Sequence, residues 1–177
     1  MSAAFAHLLL HSEYSLVDST LRIPELVRAC AARGVPALAI TDRSNLFALV
    51  KFQAAAEKAG IKPIAGAEVL LADGDAAARI SLLCRDREGY LALSRLLTRM
   101  WMHGHRVDGV VAQPDWLRGE THGLFALAGR HSPPGRLFAD GREADALAAL
   151  RDWQRSFGEH LHLELTRCGL PGETEWN

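Results

Sequence analysis

The sequence predicts an α/β domain built on a largely parallel sheet. Short apolar segments bounded by turn residues alternate with segments of helical periodicity in the order βαβαββαβαβ, the pattern of helices crossing between parallel strands. Polar residues suited to chemistry follow several of the strand-like segments, where α/β folds collect their functional groups. The 177 residues are 49% hydrophobic, enough to fill the core of one domain and inconsistent with disorder.

The first strand is read over Phe5–Leu10, buried and delivering His11 to a loop. A helix follows over Pro24–Arg33, with Pro24 tolerated in its first turn and Gly34 suited to its stop. Pro36–Thr41 is a short buried strand. Asp42 to Asn45 supply N-cap candidates for a helix running to Ala59, with Leu46, Leu49, Val50 and Gln53 on one mostly apolar stripe and Gly60 at its end. Pro63–Leu71 is a strand, a turn falls at Asp73-Gly74, and Arg79–Cys84 returns as a local antiparallel neighbour.

Tyr90, Leu93, Leu96, Leu97, Met100 and Trp101 mark an amphipathic helix. His103–Arg118 is irregular apart from a turn at Pro114–Leu117. Leu124–Ala128 is an apolar strand. A helix from Glu143 carries Leu147, Leu150, Trp153 and Phe157 on one face, and a strand over His160–Thr166 follows. The polar residues from Leu170 to Asn177 read as a cut made after that strand, within a larger domain.

Bulk properties narrow the function classes. The net charge is −1, whereas a module that grips nucleic acid alone is usually distinctly basic. Cys30, Cys84 and Cys168 are far apart and odd in number, as expected of reduced thiols in a cytoplasmic protein. The start lacks a signal-peptide pattern, and no apolar run approaches the roughly 20 residues needed to span a bilayer. No Gly-x-Gly-x-x-Gly or Walker A pattern follows a strand, which disfavours nucleotide binding of those kinds. No Gly-x-Ser-x-Gly elbow supports a serine nucleophile.

The strand ends supply His11, then Thr41-Asp42-Arg43, then Glu68, then Gly129-Arg130-His131, with Asp18 in the first loop. His, Asp and Glu from three strand ends suit a hard or borderline metal that activates water for phosphoester hydrolysis. Bland readings compete. His11 alone is more often a structural residue, Asp42 serves equally as a helix cap, and Arg43 and Arg130 repel a cation and pair with Asp18 or Glu68 instead. His160 and His162 share a strand face, and His103 and His105 flank Gly104; both pairs read better as solvated polar positions than as ligands.

These residues carry a family resemblance. His7-Leu8-Leu9-Leu10-His11-Ser12-Glu13-Tyr14-Ser15-Leu16-Val17-Asp18 resembles the opening of the polymerase-and-histidinol-phosphatase (PHP) domain, as found at the N-terminus of the bacterial C-family replicative polymerases, the DNA polymerase III alpha subunits. Pro36–Asp42 with Asn45-Leu46, Lys62–Glu68, Gly123–Gly129 and Leu163–Arg167 with Gly169 and Pro171 agree in one register. The resemblance implies a PHP-type distorted (β/α)7-like barrel, with residues 1–177 forming its N-terminal two-thirds and the polymerase palm absent.

The family's metal-binding members use a His-x-His after the first strand, an Asp-His after the second, a Glu after the third, and further His, Cys and Asp-x-His positions. Carried over, the resemblance retains His11, Asp18, Asp42 and Glu68. Leu9 replaces the first His of the pair, Arg43 the His after Asp42, Arg79 a strand His and Arg130 a Cys; the Asp-x-His would lie beyond Asn177. Three added arginines oppose a divalent cation. The resemblance therefore implies a metal-free scaffold that docks the proofreading exonuclease subunit and other replicase subunits, with no catalytic residue in this segment. DNA synthesis with magnesium belongs to the full-length polymerase, which alone would contact DNA; the setting is cytoplasmic, with no membrane. Two alternatives remain, an active PHP-type metal-dependent phosphoesterase or exonuclease, and an error-prone polymerase of the same family.

Overall fold

The computed structural model describes residues 5–16, 18–74, 76–107, 109–119, 121–165 and 169. Its helices are α1 (Ile23–Ala32), α2 (Leu49–Lys58), α3 (Arg87–His103), α4 (Pro133–Ala139) and α5 (Glu143–Phe157). Its strands are β1 (Ala37–Ile40), β2 (Lys62–Asp73), β3 (Ala76–Cys84), β4 (His105–Arg106), β5 (Gly109–Val110), β6 (Leu124–Ala128) and β7 (Leu161–Leu163). The main sheet has the order β1-β2-β3-β6-β7, and β4 and β5 form a small hairpin.

The α/β class holds, but the expected predominantly parallel sheet is instead mixed, because β3 inserts antiparallel at its centre. Every strand of the main sheet except β3 runs the same way: β1 pairs parallel with β2 and β6 with β7, while β3 lies antiparallel between β2 and β6. The expected hairpin partner of β2 is thus the centre of the sheet. Because β3 is reversed, its first residues lie at the edge where the other strands end, which brings Arg79 to that edge.

Side chains of the long strands β2 and β3 point alternately to the two faces of the sheet, as period-two geometry requires. Ala67, Val69 and Leu71 of β2 and Ala78, Ile80 and Leu82 of β3 bury one face against Leu93, Leu96, Leu97 and Met100 of α3 and Phe157 of α5. The opposite face carries Glu68, Arg79 and Ser81, with Ser81 paired directly across from Glu68. A second cluster packs Val27 of α1 and Phe52 and Ala56 of α2 against Leu38 and Ile40 of β1. Among the described residues no helix is long and apolar enough to cross a membrane.

Helix ends follow local chemistry. Pro24 sits in the first turn of α1, and Gly34 takes a φ of 67° just past its end, where a side chain would be strained. Asp86 caps α3 by accepting from the Gly89 N–H at 3.0 Å. A Cβ on Gly89 would lie 1.8 Å from the Gly123 carbonyl oxygen, so only glycine lets α3 approach the loop before β6 this closely.

Several expectations need correction. Phe5–Leu10 is extended, but it joins the sheet through a single bridge, His7 to Leu38, and Phe5, Leu8 and Leu9 are exposed rather than buried. Its only strand partner among the described residues is β1, so an edge position leaves these apolar side chains exposed. Helix α2 begins at Leu49, a full turn later than Asn45, and has no side-chain cap. Its buried face is Phe52 and Ala56, while Val50 is 81% exposed. Tyr90, Trp101 and Leu147 are likewise exposed on their helices. Helix α4 went unforeseen because Pro133-Pro134-Gly135 reads as a breaker; Ser132 caps it, and proline is acceptable in a first turn. The strand read over His160–Thr166 is seen as Leu161–Leu163, and Thr166, Arg167 and Cys168 lie outside the described residues.

Candidate functional site: a cation-filled cleft

His11 is placed by backbone pairing of its segment with β1. The Thr41 N–H donates to the Leu10 carbonyl at 2.8 Å, and the Leu10 N–H donates to Thr41 Oγ1 at 2.8 Å. The loop that follows folds back tightly. Ser12 caps a short 3-10 turn over Glu13–Ser15, Leu16 takes a φ of 65°, and the Ser19 hydroxyl donates to the His11 carbonyl at 2.7 Å. That return brings Asp18 beside the ring, with His11 Nδ1 and Asp18 Oδ2 3.1 Å apart.

Glu68 lies within β2 rather than at its end; the strand continues to Asp73. Beyond Ala65 the edge of β2 leaves β1 and receives the chain that follows it, through an isolated bridge from Arg43 to Glu68. His11 Nε2 lies 3.6 Å from Glu68 Oε2. Ligand atoms of His11, Asp18 and Glu68 all fall within 4.8 Å of one another, a spacing that a metal ion uses.

A guanidinium occupies the same place. Arg43 Nε donates to Glu68 Oε2 at 3.1 Å, and its NH2 pairs with Asp18 Oδ2. Arg79 NH1 adds a longer contact to Glu68 Oε1 at 3.9 Å. Leu9, where a ligand is expected, presents an apolar side chain to the cleft wall. A divalent ion held by these carboxylates would sit a few ångströms from a fixed positive charge, a repulsion of several kcal/mol even at an effective dielectric near 20. With Arg43 in this position the donor set does not fit a metal.

Asp42 is not part of the cleft. It is 2% exposed and accepts from the Ser12 N–H at 2.6 Å, the Ser12 hydroxyl at 2.8 Å and the Ser15 hydroxyl at 2.7 Å. It therefore ties the first loop to the end of β1, and it neither caps α2 nor faces solvent. The carboxylate tolerates burial because every contact is from a donor. The Arg43 N–H donates to Ser15 Oγ at 3.1 Å, so the same loop also fixes the arginine's backbone.

The cleft has a volume of about 480 Å³, and its far wall is made by Arg130, His131 and Ser132 after β6. Among the described residues Arg130 makes no hydrogen bond or ion pair; of the two arginines expected to neutralise the carboxylates, Arg43 does so, and Arg79 supplies the second guanidinium. The His131 ring is held below the ordinary histidine range by partial desolvation and then by the charges of Arg79 and Arg130. The other histidine pairs lie elsewhere. His160 meets Arg85 and the edge of Phe125, His162 also lies against Phe125, and His103 and His105 line a small cavity by the hairpin.

Ser12, Ser15 and Ser81 were not singled out from the sequence. Serine is common in turns and at strand positions alike, and the signal that could have found Ser81 is its even spacing from Arg79 on a two-residue repeat.

The chain is similar to known proteins over nearly its whole length. A DNA polymerase III subunit alpha of Xylella fastidiosa is 50% identical over 99% of this chain and 16% of its own length. Those of Pseudomonas aeruginosa and Escherichia coli are 41% and 37% identical, over 99% and 97% of this chain and 15% of their own length. The chain thus spans about a sixth of the length of the curated relatives it matches. Among solved structures, an amidohydrolase from Chromobacterium violaceum aligns over 82% of this chain and 50% of its own, with 22% identity and a TM-score of 0.41. The PHP domain model matches residues 7–168, a span that takes in every strand of the main sheet and the whole His11, Asp18, Glu68 and Arg43 cluster, and the chain belongs to the PHP domain family.

Proposed function

We propose that this chain is the PHP portion of a bacterial replicative DNA polymerase alpha subunit, and that its cleft is a metal-free remnant within a scaffold that docks the proofreading exonuclease subunit. The carrying observation is the Arg43 guanidinium set between Asp18 and Glu68, an internal cation in place of a metal. The polymerase assignment rests on the 36–50% identity to alpha subunits. Under this reading DNA synthesis, its magnesium ions and its contacts with DNA belong to the longer protein, and the setting is cytoplasmic.

A second reading, a PHP-type metal-dependent phosphoesterase, is favoured by the convergence of His11, Asp18 and Glu68 within 4.8 Å. Elemental analysis of the dialysed chain separates the two. Substoichiometric zinc and manganese, with no phosphoesterase activity on added metal, support the scaffold. A full equivalent of metal that is lost in His11→Ala restores the enzyme. Co-elution of the chain with the exonuclease subunit on gel filtration tests the docking; separate elution at micromolar concentrations counts against it.

A further inference from the structure

Three groups lining the cleft, Ser81, Arg79 and Arg130, keep hydrogen-bonding capacity that the Arg43 cluster does not use. Ser81 is 5% exposed and lies directly across the β2–β3 pair from Glu68, so both side chains share the face that lines the cleft. Among the described residues its hydroxyl has no hydrogen-bond partner, which is unusual for a buried polar group. Arg130 lines the same cleft without an ion pair or hydrogen bond among the described residues, and Arg79 reaches Glu68 only at 3.9 Å. A buried hydroxyl donor beside two under-used guanidinium groups is an arrangement complementary to an oxyanion.

We propose that this cleft holds a carboxylate, the side chain of an acidic segment on a partner protein, with Arg130 as its main clamp and Arg79 and the Ser81 hydroxyl beside it. The proposal rests on the metal-free scaffold reading of the same cleft. Charge selects a carboxylate over a phosphate. Asp18, Glu68 and Glu164 already line the cleft, so a singly charged ligand adds less repulsion than a doubly charged one. The remaining walls include Leu9, Leu10, Leu21 and Leu127, apolar surface that suits the aliphatic stem and neighbours of a glutamate rather than a bare ion.

The test is an NMR titration of the full chain with two capped tripeptides, Leu-Glu-Leu and Leu-Gln-Leu, and with inorganic phosphate, each with and without a chelator. The expected result is saturable shifts at Ser81, Gly129 and Arg130 with the glutamate peptide alone, unaffected by the chelator. Arg130→Ala should weaken them at least about tenfold, the size of one charge-assisted hydrogen bond, and Arg130→Lys should recover part. Equal response to both peptides, stronger binding of phosphate, or no effect of Arg130→Ala overturns the carboxylate site. If binding disappears with the chelator, the metal-free reading beneath it fails as well. If no peptide binds and no metal is found, the carboxylate site fails and the scaffold stands.

Discussion

Arg43 reaches Glu68 through both its side chain and its backbone. The guanidinium Nε donates to Glu68 Oε2 at 3.1 Å, and the two residues form a parallel bridge in which the next N–H, that of Ser44, donates to the Glu68 carbonyl at 2.8 Å. The cation is therefore fixed by the sheet, and the carboxylates of Asp18 and Glu68 meet a charge already in place. That charge offsets the mutual repulsion of the two acids.

Replacing that cation should destabilise the domain. The Glu68 side chain is 12% exposed and Asp18 26%, so Arg43→Ala leaves two partly buried carboxylates facing each other. The expected loss is about 1–3 kcal/mol, below the range for a fully buried pair because both acids retain some water. The melting temperature should fall by about 2–4 °C per kcal/mol for a domain of this size. An unchanged melting temperature in Arg43→Ala would show that the pair contributes nothing.

Asp42 should prove more sensitive than any cleft residue. Asp42→Ala strands the Ser12 N–H and the Ser12 and Ser15 hydroxyls in a buried site and should cost about 2–4 kcal/mol. Asp42→Asn keeps one accepting oxygen, and the Ser12 hydroxyl can rotate to accept from the new amide, so its loss should be smaller. Chemical denaturation of the two variants checks the order; Asn equal to or worse than Ala contradicts it.

Much of this was legible in the sequence, and the part that was not has a physical pattern. Leu124–Ala128 and the hairpin β2–β3 could be read because their apolar periods are decided locally. The convergence of His11, Asp18 and Glu68 was also readable, although Glu68 comes from within β2, just beyond the end of β1, and not from a strand end as expected. What pairs with what was harder. Asp42 and Arg43 are neighbours in sequence, yet one turns inward to three serine-loop donors and the other into the cleft, a choice set by the return of the loop through Ser12 and Ser15. Phe5–Leu10 looks like a buried strand by composition, but burial depends on a second neighbour that local sequence does not specify. Arg79, not Arg130, reaches Glu68 because β3 lies next to β2 in the sheet and β6 does not, an order that local sequence does not specify.

Cys84 should be chemically silent in the native protein. Burial, aided by the nearby Asp86 charge, pushes its thiol up to about 12, so almost no thiolate exists at pH 8. Iodoacetamide at pH 8 should leave Cys84 unmodified until denaturant is added, as read by peptide mass mapping. Rapid native labelling at Cys84 would contradict the raised thiol value that its partial burial and the Asp86 charge produce.

The last prediction concerns pH. The His131 titration is lowered from the ordinary value of 6.5 by partial desolvation first and by Arg79 and Arg130 second. The folded state therefore disfavours the protonated ring, and between the lowered and ordinary values the unfolded chain binds more protons. Its contribution to stability is complete above about pH 6.5 and is lost as pH falls through the lowered folded value. The wild type should thus lose more stability than His131→Asn on going from pH 7 to pH 5, by a small margin because the ring is largely open to water. Arg130→Ala should raise the His131 titration toward 6.5, since it removes one of the repelling charges. Following the His131 ring protons by NMR in both proteins checks this directly. A wild-type titration at or above 6.5 would contradict the lowered value, and one that does not move in Arg130→Ala would show that Arg130 does not contribute to it.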